Sequence, residues 1–439
     1  MTKINTTLIV SILLINRKTP AAETLMRTGA TQASKKDRPM TTKTSSTLPV
    51  LVVGGGIGGV AAALALARQG YAVQVLEQAP QLGEIGAGIQ LGPNAFAAFD
   101  ALGIGERARS RAVYTDEMVM HDALDATLVG RIPTGETFRQ RFGNPYAVIH
   151  RADIHTSLLE GARAQSAIET FTGTHITRVE QHTDSVTVHD QNGRAFTGQA
   201  LIGADGVKSV VRQQYVGDSA RVSGHVVYRA VVEKDDFPQD LRWNAASIWV
   251  GPNYHLVHYP LRGGEQYNVV VTFHSRENEE WGVRDGSRAE VQSYYESCCA
   301  RAHQLIDLPK SWKRWATADR DPIGQWSFGR ATLLGDAAHP TLQYIAQGAC
   351  MALEDAVTLG EALKACDQDF VQAFALYERS RIARTARVVL SAREMGRIFH
   401  AQGVERLVRN DLWKGRTPER FYDAMEWLYG WKVDNCLAD

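Results

Sequence analysis

Three glycines and one carboxylate carry the first chemistry legible in the chain. Gly54, Gly56 and Gly59 stand in a G-x-G-x-x-G spacing, and Glu77 follows 23 residues after Gly54. Such a loop turns tightly, lets its backbone approach a pyrophosphate and seats the next helix closely on the preceding strand. The helix N-terminus adds N–H donors and a partial positive charge. A carboxylate at the position of Glu77 can accept hydrogen bonds from ribose hydroxyls and disfavours a 2′-phosphate. These residues work only if flanking elements position them. Residues 49–53 (PVLVV) predict a buried parallel strand, 58–70 a helix of small residues ending on Gly70, and 71–77 a second strand. That is a βαβ unit, expected to cross over right-handedly. The spacing alone leaves FAD and NAD both open. No second G-x-G-x-x-G follows a strand, which argues against a reductase built from two dinucleotide folds.

Two distant segments narrow the choice. Residues 201–212 (LIGADGVKSVVR) contain Asp205-Gly206, and residues 329–340 (GRATLLGDAAHP) contain Gly335-Asp336. Asp336 is expected to close a strand before a helix, where a carboxylate can meet ribityl hydroxyls or cap the helix. With the glycine loop, these segments resemble the flavoprotein aromatic hydroxylases, single-component FAD monooxygenases, in their salicylate-hydroxylase-like branch. The resemblance runs from about residue 48 to the C-terminus. It implies non-covalent, tightly bound FAD on Gly54, Gly56, Gly59 and Glu77, with Asp205 near the pyrophosphate and Asp336 on the ribityl chain. His150-Arg151-Ala152-Asp153 also matches the family, implying that Arg151 approaches the flavin chain; a surface salt bridge is the plainer reading. Residues 84–94 (EIGAGIQLGPN), which include Gln90, resemble the loop that wraps the flavin.

The implied fold class is α/β, a Rossmann-type FAD-binding domain with an inserted, mainly antiparallel β-sheet substrate domain and a helical C-terminal region. The expected partition is an N-terminal extension over 1–47; a cofactor domain over 48–113, 147–221 and 321–366; a substrate domain over 114–146 and 222–320; and helices over 367–439. After Gly348 the chain reads helical, with breaks near Asp367 and at Thr417-Pro418.

Segments 144–146 (NPY), 254–264 (YHLVHYPLRGG), 339–348 (HPTLQYIAQG) and 427–431 (WLYGW) resemble branch members that hydroxylate hydroxybenzoates. The resemblance implies para-hydroxylation of 3-hydroxybenzoate to gentisate with NADH and O₂. Ortho attack on salicylate with decarboxylation, or hydroxylation of 6-hydroxynicotinate, are alternatives in the same branch. An FAD-binding electron-transfer protein that does not hydroxylate is the alternative of a different class. Strand side chains alternate, so His255, Val257 and Tyr259 share a face. A phenol ionises near pH 10, like tyrosine, so its pocket must supply a base or acceptor. His255 and Tyr259 are the candidates for activating the hydroxyl, and Gln343 for holding the substrate. Tyr146 and Pro340 are expected to line the pocket, and Gly348 to lie at the cofactor. A lone histidine or tyrosine on a strand is often only packed, and His339 is expected to shape its loop.

The 439 residues carry 48 Lys+Arg and 48 Asp+Glu, a formal net charge of zero. A balanced chain lacks the basic excess of nucleic-acid binders. The neutrality is uneven, because residues 1–39 hold seven basic and two acidic side chains, leaving a net charge of −5 from Met40 onward. Residues 1–39 are expected to be dispensable, and the apolar run over 8–15 is too short to span a bilayer. The five cysteines show no CxxC or metal-ligand spacing, which points to a reducing, cytoplasmic setting and no metal. A homodimer is expected. Arg379, Arg381, Arg384, Arg387, Arg393 and Arg397 are expected to form a solvated or subunit-facing side of one helix.

Overall fold

The computed structural model describes residues 48–83 and 87–438. The N-terminal extension, and Glu84, Ile85 and Gly86 of the glycine-bearing loop, lie outside the described residues. Among the described residues, a six-stranded sheet runs in the order Ser327–Phe328, Ala331–Leu333, Ala200–Gly203, Val50–Val53, Val73–Leu76, Ile168–Phe171. Its strands are parallel except at the Ser327–Phe328 edge. Val50–Val53, in the middle, is a fully buried apolar run, as a strand covered on both faces must be. The helix Ile57–Arg68 is rich in alanine and buries nine residues. Small side chains let the helix Gly348–Ala365 pack directly on it, and a Cβ on Gly360 would sit 3.5 Å from Ala65.

An eight-stranded sheet runs Gly282–Gly286, Trp312–Asp319, Arg221–Glu233, Gln266–His274, Tyr254–Leu261, Ala245–Gly251, Glu117–Asp122, Leu128–Pro133. Every pairing is antiparallel except Ala245–Gly251 with Glu117–Asp122. A small antiparallel sheet of Gly88–Leu91, Ala147–His150 and Val113–Tyr114 carries the flavin-loop segment. It is pinned to the large sheet by Gly88 N–H, which donates to Asn268 Oδ1 at 2.8 Å.

The C-terminal region is helical over Gly348–Ala365, Phe370–Phe399, Gly403–Trp413 and Pro418–Tyr429. The expected breaks occur, with Asp367 and Gln368 both at positive φ. A third break, unexpected, falls over residues 400–402, where His400 caps the 30-residue helix. The arginine stretch on that helix needs correction. Arg379, Arg387 and Arg397 are exposed, but Arg381 is fully buried and Arg384 and Arg393 are largely covered. The reason is charge: Glu354 and Asp355, buried on the neighbouring helix, draw Arg381 and Arg384 inward, and buried Asp319 draws Arg393. The five cysteines form no disulfide.

Candidate active site

The glycine loop leaves the Val50–Val53 strand at Gly54, whose φ of +105° suits glycine. A Cβ on Gly54 would overlap the carbonyl of Ala204, and one on Gly59 would overlap the carbonyl of Gly54. Loop, helix and the Asp205 segment therefore meet backbone to backbone, forming a cradle that side chains would fill. Gly56 caps the helix in an extended conformation without a side-chain bond to its first turn. Glu77 closes the loop: Oε2 accepts from Gly55 N–H at 2.6 Å and Oε1 from Ala79 N–H at 2.7 Å. Each oxygen keeps acceptor capacity for a hydroxyl. His155, which sequence reasoning missed, meets the Gly55 carbonyl through Nε2 at 2.7 Å.

Asp205 lies beside Gly54 and caps the helix Val210–Tyr215, accepting from Val210 N–H at 2.7 Å. Its other oxygen is buried without a partner among the described residues, and burial raises the carboxyl pKa. Asp336 sits in the short turn Gly335–Ala337 and is exposed, although residues 331–335 and 337–340 around it are buried. One polar side chain presented from a buried run, next to an orphaned carboxylate and a side-chain-free cradle, fits a dinucleotide. Arg212 joins the two aspartate segments. It is fully buried, ion-paired to Asp218 at 2.7 Å, and donates to the carbonyls of Ala337 and Ala338 at 3.1 and 2.6 Å. His339 binds Asp355 Oδ2 at 2.5 Å, and the same oxygen accepts from Gly335 N–H, so the turn holding Asp336 is anchored on the helix behind it. His339 thus shapes its loop, as expected.

The residues expected around the ring fall into two adjoining groups. Tyr259 is buried in a cluster with Tyr146, Val148, Met351 and Tyr429, with Val257 packed against it. A Cβ on Gly88 would lie 2.5 Å from the Tyr259 ring, so only glycine leaves Tyr259 its place. Tyr146 donates its hydroxyl hydrogen bond to Gln90. Burial pushes both phenols up, with Arg229 opposing this at Tyr259. Arg229 is a residue the sequence did not single out. Its guanidinium reaches the Gly88 carbonyl at 3.5 Å, and burial lowers its pKa.

His255 lies further along the strand. Its ring is 5.4 Å from Tyr344, 5.7 Å from Phe399 and 5.1 Å from His400. Burial drops its pKa to about 3, so the imidazole is neutral. Gln343 opens the turn Gln343–Ile345, directly before Tyr344, and its amide nitrogen is buried with no partner among the described residues. Pro340 is buried, Gly348 begins the helix Gly348–Ala365, and Arg151 begins the helix Arg151–Arg163 with its side chain exposed. Asn94, also missed, bonds Gln347 at 2.9 Å and Glu354 at 2.6 Å, tying the flavin-loop segment to the helix bearing Gly348.

A family model described as an FAD binding domain matches residues 47–392. The chain is 78% identical over 391 residues to the 3-hydroxybenzoate 6-hydroxylase of Polaromonas naphthalenivorans (strain CJ2), covering 89% of this chain and 98% of that one. It is 62% identical over 387 residues to the 3-hydroxybenzoate 6-hydroxylase of Klebsiella oxytoca, covering 88% and 98%. A solved structure of a Klebsiella pneumoniae HpxO variant complexed with FAD superposes with a TM-score of 0.78 at 26% identity, covering 87% of this chain and 99% of that one.

Proposed function

From the premise that this chain belongs to the FAD binding domain family, we propose that it is an FAD-dependent monooxygenase that para-hydroxylates 3-hydroxybenzoate to gentisate with NADH and O₂. The observation that carries the substrate is the 78% identity to an enzyme of that name over nearly its whole length. The glycine cradle of Gly54, Gly56 and Gly59, with the following helix N-terminus and Asp205 beside it, would hold the FAD pyrophosphate. Glu77 would take the ribose and Asp336 the ribityl chain, and Arg151, Gln90 and Gly348 would border the rest. Bound and reduced by NADH, FAD supplies oxygen in an electrophilic form from O₂.

The chain's own residues make the ring reactive toward it. His255 and Tyr259 stand four residues apart on one strand face, about 13 Å between Cα atoms. That span brackets one benzoate ring. His255, neutral, accepts the hydroxyl proton and so raises the electron density para to that hydroxyl. Tyr259, held protonated, and the unpartnered amide of Gln343 donate to substrate oxygens, while Tyr146 and Pro340 shape the walls. A cytoplasmic homodimer is proposed with this reading; light scattering that returns the mass of one chain would remove the dimer. Among the described residues no helix is long and apolar enough to cross a membrane.

Purified holoenzyme mixed separately with 3-hydroxybenzoate, salicylate and 6-hydroxynicotinate, with NADH oxidation followed, tests the substrate. Stimulation by 3-hydroxybenzoate with gentisate formed is expected. Catechol from salicylate, with no gentisate from 3-hydroxybenzoate, would overturn the reading.

A further inference from the structure

We propose that His400 carries the substrate's hydroxyl proton away from His255, through a histidine cluster that reaches solvent at His274. The inference rests on the reading of His255 as acceptor of that proton. His255 Nδ1 and His400 Nε2 are 2.8 Å apart, a direct hydrogen bond in a buried setting. With Nδ1 committed, only Nε2 of His255 can face a substrate. His400 occupies the break between two C-terminal helices, with its carbonyl accepting from Asn253 N–H at 3.1 Å. Its ring lies 5.3 Å from that of His225, which lies 5.2 Å from that of His274. His274, at the end of its strand, is exposed. The Tyr344 hydroxyl meets His225 Nδ1 at 2.9 Å and closes the cluster beside His255. Three strands and a helix end thus gather four histidines, one of them exposed, beside the proposed hydroxyl acceptor.

The step balances without a further reagent. The substrate O–H bond breaks and His255 Nε2–H forms; His255 Nδ1–H breaks and His400 Nε2–H forms. His400 then releases its other proton by way of His225 and His274 to water. Burial first, and then the neighbouring His255, His225, His274 and Arg409, disfavour the charged form of His400, so it favours passage of the proton over retention. His225 is further influenced by Arg221 and Asp319, and its pKa falls to about 4.

The test uses full-length oxidised holoenzyme mixed rapidly with 3-hydroxybenzoate in weak buffer containing a pH-indicator dye. His400→Gln is expected to slow proton release by about tenfold or more, with FAD content and the flavin absorbance change on substrate binding retained, and added imidazole is expected to restore the rate. Wild-type release by His400→Gln, or a slowed release that imidazole fails to restore, overturns the relay. Should that variant not fold, His225→Phe interrupts the next link, and undiminished release from it overturns the path. His255→Ala separates the two claims. Wild-type release from His255→Ala overturns the reading of His255 itself, whereas slow release there with fast release in His400→Gln overturns only the relay.

Discussion

His255 and Tyr259, the residues proposed to handle the phenol, have opposite protonation preferences. Burial holds the imidazole neutral, with a pKa of about 3, and holds the tyrosine protonated. One side chain is then an acceptor and the other a donor across the pH range in which the enzyme is expected to work. Replacing His255 with Ala should lower kcat/KM by about a hundredfold or more, the usual worth of a positioned base. Tyr259→Phe removes one donor to a charged oxygen and should lower it by about tenfold or more. Both variants should keep their FAD, read by the visible flavin spectrum. Unchanged steady-state rates in both would remove these residues from the chemistry. Gln343 belongs to the same scale: its buried, unpartnered amide is a feature no sequence pattern reveals.

At the scale of elements, the glycine loop leads into the helix Ile57–Arg68, on which the helix Gly348–Ala365 packs directly. A Gly59→Val change puts methyl groups where the Gly54 carbonyl lies, and the purified protein should lose its flavin absorbance. Retention of full FAD would show that the cradle does not bind it. Behind the Asp336 turn, Arg381 is the buried counter-ion of Glu354 and Asp355, at 2.7 and 2.6 Å. Arg381→Ala leaves two carboxylates in the core and should cost about 3–5 kcal/mol, measurable by urea melts; a loss below about 1 kcal/mol would contradict the pairing. These elements differ in how far sequence reaches them. The strand–loop–helix around Gly54 was legible because its chemistry lies within 30 residues. The arginine stretch misled because its carboxylates arrive from another helix and from the end of a strand, and His400 stayed hidden in what reads as continuous helix.

The whole molecule should carry an acid sensitivity that follows from its buried histidines. His225, His255 and His258 have pKa values lowered to about 4, 3 and 3, and His400 is also lowered, in each case chiefly by burial. Unfolded, each takes a proton near pH 6.5; folded, each resists until far lower. The unfolded chain thus binds more protons in that window, and stability falls as pH drops below about 6.5, by about 1.4 kcal/mol per unit for each such histidine. His258 isolates the effect, since both ring nitrogens are buried without partners among the described residues, beside Trp249 and Phe237. His258→Phe should shrink the stability loss between pH 7 and pH 5, measured by urea melts, by one proton's share; an unchanged loss would contradict the assignment. The parallel sheet, the antiparallel sheet and the helical end were legible from motif order, because each motif sits at a strand end. Long-range contacts within this frame, such as Arg212 to Ala338 and Gly88 to Asn268, were not, because they link residues 126 and 180 positions apart.

The central claim is oxygen transfer to the ring of 3-hydroxybenzoate. Its most direct test is a single reaction of holoenzyme, NADH and 3-hydroxybenzoate under isotopically heavy dioxygen, with the product analysed by mass spectrometry. Gentisate carrying one heavy oxygen atom, formed in step with NADH consumed, is expected. Consumption of NADH with peroxide as the only oxygen product, or a hydroxylated product with no heavy oxygen, would contradict it.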